Sequence, residues 1–349
     1  MLGGFLALLS AATFALNNAC VRRGVLSGSV LQGMAITVPI GVPLFLFAAA
    51  ATGSLGAVTG FSPSAIAALS LAGILHFVWG RYCNYRAVRA IGTNLAAPVQ
   101  QVNLIFTLAV AIWILGETLT PLRVLGIALI LLGPSFTMRE GNGQSGESAP
   151  DAAEAESIAV VESAAPATAG ANEQSPAFQP HYAEGYAFAL LSATGYGLSP
   201  IFIRLGLEDR GLGASLAGGL ISYLAATALM ALVLLWPAQL RQAMAVKPEA
   251  AKWFTFSGIM VCVSQMFIYM ALAIAPVTVV SPINRLTIVF RLYFSRMLNP
   301  QHEVFGGKVI LGTVVSLMGA VILSLSTDVV TSLLPLPDAL AAVLKWHWP

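Results

Sequence analysis

Ten stretches of about 20 mostly apolar residues run through this 349-residue chain, and they restrict its fold more than any other feature. Only 9% of the residues are charged and 57% are hydrophobic, whereas roughly a quarter of the residues of a water-soluble domain are charged. A backbone that crosses hydrocarbon must satisfy its polar groups internally, so each stretch is predicted to form a membrane-spanning helix. The predicted fold class is therefore an all-α polytopic membrane protein with ten transmembrane helices.

The predicted spans form two groups of five. Spans 1 to 5 are Leu2–Val21, Val30–Ala51, Ala65–Val88, Asn94–Leu115 and Leu122–Met138. Spans 6 to 10 are Gly185–Ile203, Gly213–Leu235, Trp253–Ile274, Val277–Met297 and Gly306–Leu325. Residues 139–182 hold seven of the fifteen acidic residues and are rich in Ala, Ser, Pro and Gly, which predicts a disordered linker. The predicted units are thus 1–138, the linker 139–182, 183–327, and a tail, 328–349, that could lie at the membrane interface.

The two groups of spans repeat each other. A shift of 182 residues places the Leu-Leu-Ser-Ala run of 8–11 on that of 190–193, and a shift of 184 places Pro98 on Pro282. Because each copy has an odd number of spans, the second copy crosses the membrane in the opposite sense. Such a 5+5 inverted repeat is typical of secondary transporters, whose binding site lies at the interface between the repeats.

Several motifs occur in an order that is similar to a known family. The first span of each half is interrupted by polar residues, Pro98 lies in span 4, the run Leu-Gly-Glu-Thr-Leu-Thr follows at 115–120, and span 5 has regularly spaced glycines. In this order the chain resembles the EamA-type transporters of the drug/metabolite transporter superfamily, apart from its linker and tail. The resemblance implies a carrier of small metabolites that works by alternating access. It also implies a bacterial inner membrane protein without a cofactor.

The second half departs from this pattern in the connection between spans 9 and 10. Where Leu-Gly-Glu is expected, it reads Asn-Pro-Gln-His-Glu at 299–303, two residues longer, so no matching role of Glu117 and Glu303 is predicted. All eight acidic residues outside the linker are predicted at span ends, in loops or in the tail. In contrast, Arg285 and Arg291 lie roughly 10 to 20 Å into span 9. Because a charge at this depth needs water, a partner or a substrate, we predict that both guanidiniums bind a small organic anion.

Polar residues at helical spacing indicate a shared substrate site. Three residues of span 9 follow an i, i+3, i+7 pattern and match three residues of span 4 through the repeat, whereas spans 3 and 8 each carry a polar residue one turn before a tyrosine. The alternative is hydrogen bonding between helices of an apolar bundle. The predicted substrate-binding residues are Asn17, Arg81, Tyr85, Gln100, Asn103, Thr107, Tyr196, Ser199, Gln265, Tyr269, Asn284, Arg285, Thr287 and Arg291.

Two further features of the spans bear on mechanism. The pairs Asn17-Asn18 and Ser199-Pro200 occupy matching positions in spans 1 and 6, and we predict that these segments are partly unwound and expose backbone groups to a ligand. His76 in span 3 is either a proton relay or a structural histidine.

Other function classes are less consistent with the sequence. Ser215 lies in a Gly-x-Ser-x context like that of intramembrane serine proteases, but no histidine occurs in a later span. The histidines and the three cysteines form no metal-ligand pattern, and a net charge of +2 without a basic run argues against nucleic acid as a partner. The predicted partners are a small-molecule substrate and the lipid bilayer, for a monomer or a homodimer. The positive-inside rule favours both termini outside and the family resemblance implies both inside, so orientation stays open.

Overall fold

The computed structural model describes residues 2–106, 109, 120–144, 180–207, 211–274, 283–324 and 337. In the first half, the helices are α1 (Leu2–Ser27), α2 (Val30–Thr37), α3 (Gly41–Ala51), α4 (Pro63–Gly73), α5 (Arg81–Gln100) and α6 (Pro121–Gln144). In the second half, they are α7 (Tyr182–Leu207), α8 (Gly211–Leu234), α9 (Pro237–Met244), α10 (Pro248–Ile274), α11 (Thr287–Leu298) and α12 (Gly307–Ser324). All regular secondary structure in the described residues is thus helical.

Local capping sets where several helices begin. The Ser29 hydroxyl accepts a hydrogen bond from the Gln32 backbone N–H while the Gln32 side chain accepts one from the Ser29 N–H, and this capping box starts α2 directly after α1. Ser62 caps α4 in a similar way, with Pro63 in the first turn, where its missing N–H costs nothing.

Two predicted spans are interrupted rather than straight, and a predicted loop is replaced by a bend. Span 2 divides into α2 and α3 around residues 38–40, where Pro39 lacks a backbone donor. Span 3 contains a π-helical segment, Ile74–Gly80, between α4 and α5. No loop separates spans 3 and 4, because the chain bends at Gly92, whose φ of 80° and ψ of 172° are accessible only to glycine without strain.

Six helical segments of the described residues are long and apolar enough to cross a membrane: Leu2–Ser27, Val30–Ala51, Pro63–Gln100, Tyr182–Leu207, Ala214–Leu234 and Pro248–Ala271. Val124–Gly133 and Gly307–Ile322 are shorter apolar helices. Predicted spans 4 and 9 fall partly outside the described residues, so the predicted count of ten spans is not established. Helix α6 continues to Gln144, six residues into the segment predicted as linker, whereas residues 145–179 and nearly all of the tail lie outside the described part.

The packing of the two halves is reciprocal. Helix α1 of the first half packs along α10 of the second half, and α4 and α5 of the first half pack along α7 of the second. Helices α6 and α12, which match in the repeat, pack against each other. At Gly73 a Cβ atom would collide with the Ser222 backbone, so glycine permits close approach of α4 and α8. The first predicted span of each half thus contacts the third predicted span of the other half.

An aromatic cluster fills the centre of the larger apolar core. The rings of Phe77 and Tyr223 stack with centroids 3.9 Å apart, and Phe45 lies 5.1 Å from Tyr223. Large apolar side chains also cover the outer surface, as expected for a protein that faces lipid; they include Phe47, Leu232, Leu235, Trp236 and Tyr293.

Candidate functional site

A chain of hydrogen bonds joins the two halves in the interior of the bundle. Arg291 on α11 is only 6% exposed, and its Nη1 donates to Gln100 Oε1 over 2.7 Å. Gln100 Nε2 in turn donates to Asn84 Oδ1 over 2.6 Å, and Asn84 Nδ2 donates to Asn18 Oδ1 over 3.1 Å. The chain ends where Asn18 Nδ2 donates to the Phe14 carbonyl over 2.8 Å. Four helical segments therefore meet around one guanidinium.

The direction of these bonds is uniform. Each amide accepts from its predecessor and donates to its successor, so the cationic donor of Arg291 fixes the orientation of Gln100 and of the two asparagines after it. The first and last residues of this chain of hydrogen bonds also contact each other, because the Arg291 guanidinium carbon lies 5.8 Å from the centre of the Phe14 ring. Arg291 Nε is buried without a hydrogen-bond partner among the described residues. One edge of the guanidinium is therefore held by Gln100 while Nε stays available.

The α-helix is interrupted at matching positions of spans 4 and 9, near the chain of hydrogen bonds. The α-helical pattern is interrupted at residues 101–102 and at residues 285–286, which correspond under the 184-residue shift. Short i to i+3 hydrogen bonds replace helical ones at both places, for example from Gln101 N to the Pro98 carbonyl and from Leu286 N to the Ile283 carbonyl. Discontinuous helices of this kind place backbone polar groups near a binding site in many secondary transporters.

The predicted polar stripes of spans 4 and 9 are found at these breaks. Arg285 lies in the second break, and its Nε is buried without a partner among the described residues. The Thr287 hydroxyl donates to the Asn284 carbonyl over 2.6 Å, so Thr287 serves the start of α11. The Asn103 backbone packs closely on Gly197 of α7. Thr107 lies outside the described residues. Of the two stripes, Gln100 and Arg291 are joined directly by a hydrogen bond.

Arg81 belongs to a second polar cluster, inside the aromatic core. The Arg81 side chain is buried and donates from Nη1 to the Thr37 carbonyl over 2.9 Å and from Nη2 to the Tyr223 hydroxyl over 3.2 Å. Its guanidinium carbon also lies 5.2 Å from the Phe77 ring centre. Tyr85, the predicted partner one turn away, donates to the Thr37 hydroxyl over 3.1 Å. These contacts fasten the end of α2 to α5, and the substrate-binding role of Arg81 and Tyr85 stays a prediction.

His76 and Tyr196 pack against each other, with ring centres 4.7 Å apart. His76 is part of the π-helical segment, and its Nδ1 is buried without a partner among the described residues. The proton-relay role of His76 stays a prediction.

The other predicted site residues lie on helix interfaces. Ser257 donates to Asn17 Oδ1 over 2.6 Å between α10 and α1, and Ser199 donates to the Ala72 carbonyl over 3.3 Å between α7 and α4. Tyr269 packs edge-on against Phe45, and Gln265 is half-buried on α10. The predicted unwinding at Asn17-Asn18 and Ser199-Pro200 is wrong, because α1 and α7 run as continuous helices through both pairs.

Glu303 is the main departure from the sequence prediction. It lies in the connection between α11 and α12, yet it is buried and accepts hydrogen bonds from Thr93 N over 2.7 Å, Thr93 Oγ1 over 2.7 Å and Asn94 N over 3.0 Å. The Thr93 hydroxyl also lies 2.6 Å from the Ser295 hydroxyl. Burial raises the pKa of the Glu303 carboxyl, against the opposing effects of Arg22 and of these donors.

Arg22 completes this group. Its side chain is fully buried, and its Nε lies 3.8 Å from Glu303 Oε1. It donates to the Val88 carbonyl over 2.8 Å, the Arg89 carbonyl over 3.0 Å and the His302 carbonyl. The predicted end of span 1 at Val21 is thus too early, because α1 continues to Ser27 and Arg22 is interior rather than a charge at the membrane surface. We call Arg22, Thr93, Asn94, Ser295 and Glu303 the Glu303 clamp.

The Glu303 clamp also places a carboxylate closer to the deep arginines than the sequence predicts. The sequence predicts no carboxylate near the deep arginines, but Glu303 interacts electrostatically with Arg291 as well as with Arg22. No carboxylate hydrogen-bonds to Arg291 in the contacts described above, where its partner is the neutral Gln100 amide. Among the described residues, no three His, Cys, Asp or Glu side chains are grouped so that they could hold a metal ion.

Comparison with known sequences identifies the family. The profile of the EamA-like transporter family matches residues 1–139 and 183–325. The chain belongs to the EamA-like transporter family. A search of curated proteins finds no match. Among 15 matching chains of solved structures, one titled "Crystal structure of protein" aligns over 99% of this chain and 98% of its own, with a TM-score of 0.55 and 16% sequence identity, and thus shows a shared fold.

This membership makes the protein an integral, multi-pass membrane transporter of the drug/metabolite transporter superfamily. EamA-like proteins are transporters of small solutes, and nothing in the match supports the serine hydrolase alternative around Ser215. Asn84 belongs to the candidate site of this EamA-like transporter but was not predicted from the sequence. It corresponds to Ile268 under the 184-residue shift and therefore has no polar match in the repeat. Its position one turn after Arg81 is the signal that could have found it.

Proposed function

We propose that this EamA-like transporter carries a small organic anion, such as a carboxylated or phosphorylated metabolite, across the membrane by alternating access. The observation that carries this proposal is the environment of Arg291: a buried guanidinium at the junction of both halves, hydrogen-bonded to a neutral amide and with an available Nε. Arginine stays protonated and can hold a carboxylate or phosphate by two parallel hydrogen bonds, which suits such a site.

Arg285 supports the same substrate class. It lies in the break of span 9, one and a half helical turns before Arg291, and its Nε is also buried without a partner among the described residues. Two buried cations six residues apart on one segment repel each other unless a negative charge lies between them or nearby. Glu303 supplies part of that charge, and an anionic substrate would supply the remainder.

Alternating access around this site is supported by the reciprocal packing of the halves and by the matched breaks at residues 101–102 and 285–286. Both features are expected of a ten-span inverted repeat with its site at the repeat interface. Action as a monomer or homodimer, a bacterial inner membrane location and the absence of nucleic acid from its partners stay predictions. Exchange of anions and a proton route through His76 are the two candidate modes of coupling.

Flux into proteoliposomes tests the proposal. A panel of labelled carboxylates, phosphorylated metabolites and organic cations is first screened by thermal shift of the purified protein, because a ligand that binds the folded state raises its melting temperature. We expect an anion to be the best ligand and its flux to require Arg291. A cationic best ligand, or unchanged affinity of that ligand for Arg291→Ala, would contradict the anion site.

A further inference from the structure

The Glu303 clamp closes the junction between the two halves at one end of the bundle. It is assembled from the part of α1 far from Leu2, from the helical segment that starts after Gly92, from the last turn of α11, and from the connection before α12. That connection is fastened at two more points, because Asn299 donates to the Ala19 carbonyl over 2.9 Å and Asn94 donates to the Val304 carbonyl over 3.2 Å. Every one of these contacts joins the first half to the second.

The helical segments that carry the clamp also carry the candidate substrate site. Ser295 follows Arg291 by one turn of α11, about 6 Å along the helix axis. Gln100 follows Thr93 by two turns, about 10 Å. The Arg291 to Gln100 bond and the Ser295 to Thr93 contact therefore connect the same pair of helices at successive levels. A ligand that draws Arg291 away from Gln100 would strain the clamp contact one turn away.

The chemistry of the clamp permits both a closed and an open state. Its contacts are hydrogen bonds and one ion pair, and in the closed state the Arg22 and Glu303 side chains are shielded from solvent. After separation the same donors and acceptors could bind water instead, because a hydrogen bond to water replaces one to protein at small net cost. An interface of interdigitated apolar side chains lacks this property, because exposure of apolar surface to water is not compensated.

We propose that the Glu303 clamp is a gate that closes one end of the transporter and must open for each transport cycle. The inference rests on the proposed alternating access, and it adds which residues close one side of the site. Gly92, the glycine-specific bend beside Glu303, is the point at which residues 93–100 of α5 can pivot relative to residues 81–91.

A reversible cross-link tests the gate. The hydroxyls of Thr93 and Ser295 are 2.6 Å apart, close enough for a Thr93→Cys, Ser295→Cys pair to form a disulfide. The buried Cys20, Cys83 and Cys262 are first replaced by Ala, and Asn284→Cys, directly before the break of span 9, serves as a reporter. The protein is labelled with a membrane-impermeant maleimide in right-side-out and in inside-out vesicles, with the pair oxidised or reduced. Only the label on the peptide that contains residue 284 is counted, because the reduced pair also reacts with maleimide.

We expect the reduced protein to be labelled from both faces. In the oxidised protein, the labelling rate from one face only should be at least tenfold lower, and it should recover after reduction. Labelling from both faces at unchanged rates after oxidation would overturn the gate and leave alternating access intact. Labelling of the reduced protein from a single face would contradict alternating access itself, and with it the gate.

A matched pair controls for the cross-link. The Ser10 and Ser264 hydroxyls are 3.1 Å apart, also buried, and also join the two halves, but they lie on α1 and α10, which pack against each other away from the clamp. A Ser10→Cys, Ser264→Cys disulfide is expected to leave labelling from both faces unchanged. If it blocks one face as strongly as the clamp pair does, the effect is not specific to the clamp and the proposal fails.

Discussion

The backbone N–H of Thr93 donates a 2.7 Å hydrogen bond to Glu303, so a carboxylate from the second half caps a helical segment of the first half. The first N–H groups of a helix have no partner within it and carry partial positive charge, which favours an anion at this position. Gly92 creates this helix start in the middle of what would be one long helix. A helix end inside the bundle thus depends on a residue 210 positions away.

The two deep arginines are expected to determine anion affinity. Arg285→Lys and Arg291→Lys should each weaken binding of the transported anion by about 10-fold to 100-fold, because lysine keeps the charge but loses the paired donors and a charged hydrogen bond contributes about 1.5 to 3 kcal/mol. Arg296→Lys on the exposed side of α11 is the matched control and should change affinity little. Binding is measured by titration in detergent, and equal effects at all three positions would count against the site.

Asn84 is expected to position Arg291 through Gln100. Asn84→Leu removes the acceptor that orients the Gln100 amide, so anion affinity should fall about threefold to tenfold although Asn84 does not touch Arg291. The double variant Asn18→Leu, Asn84→Leu removes both partners of the hydrogen bond between Asn84 and Asn18. It should therefore be more stable than Asn84→Leu alone, while its affinity for the anion should stay low. Melting temperature and affinity are measured in parallel. Recovery of both together would indicate a purely structural role.

Glu303 is expected to matter for stability far more than a surface carboxylate. Glu303→Gln leaves Arg22 without its counter-charge and turns an N–H group towards the donors of the clamp, which should cost about 3 to 5 kcal/mol. The matched control is Glu184→Gln, which breaks the exposed ion pair with Arg86 and should cost about 0 to 1 kcal/mol. Unfolding in mixed detergent gives both values, and similar costs would show that the Glu303 clamp contributes no more than a surface pair.

Gly92 is expected to tolerate no side chain. Gly92→Ala would adopt a glycine-specific conformation and place its Cβ 2.5 Å from Glu303 Oε2, so the loss of stability should exceed the 1 to 3 kcal/mol or so of backbone strain alone. Gly53 also has a positive φ, 68°, but a Cβ there meets open space. Gly53→Ala therefore measures the milder strain of the left-handed helical region without a collision. A cost for Gly92→Ala no larger than for Gly53→Ala would argue against tight packing of Glu303.

The segment between the halves is expected to be dispensable for transport. Its composition, with many Ala, Glu, Ser and Pro residues, cannot bury enough apolar surface to fold. Replacement of residues 143 to 178 by a short Gly/Ser tether should therefore leave flux within about twofold of the parent protein, measured in proteoliposomes at equal protein content. Loss of flux in a replacement variant that still inserts and melts normally would show that the segment takes part in the transport cycle.

The all-helical membrane class and the family could be predicted from the sequence because both depend on local properties. The bilayer requires long apolar helices wherever the chain crosses it, so composition and length along the chain carry the signal. The repeat likewise pointed to Gln100 and Arg291, which the structure joins by a hydrogen bond. The exact ends of the helices could not be predicted as well from the sequence. Helix α1 extends past Arg22, and a bend at the single residue Gly92 replaces a predicted loop.

Only the tertiary structure decided which polar side chains are partners. Asn84 and Asn18 are 66 positions apart, and Arg291 and Gln100 are 191 apart. Glu303 lies in a connection between helices, within the predicted class of span ends, loops and tail, but its burial was not predicted. It is buried because a bend at Gly92 and a close approach of two halves bring donors to it. Helical spacing tells which residues share one face of one helix, but hydrogen bonds between helices depend on how distant helices pack, and no local pattern in the sequence records that packing.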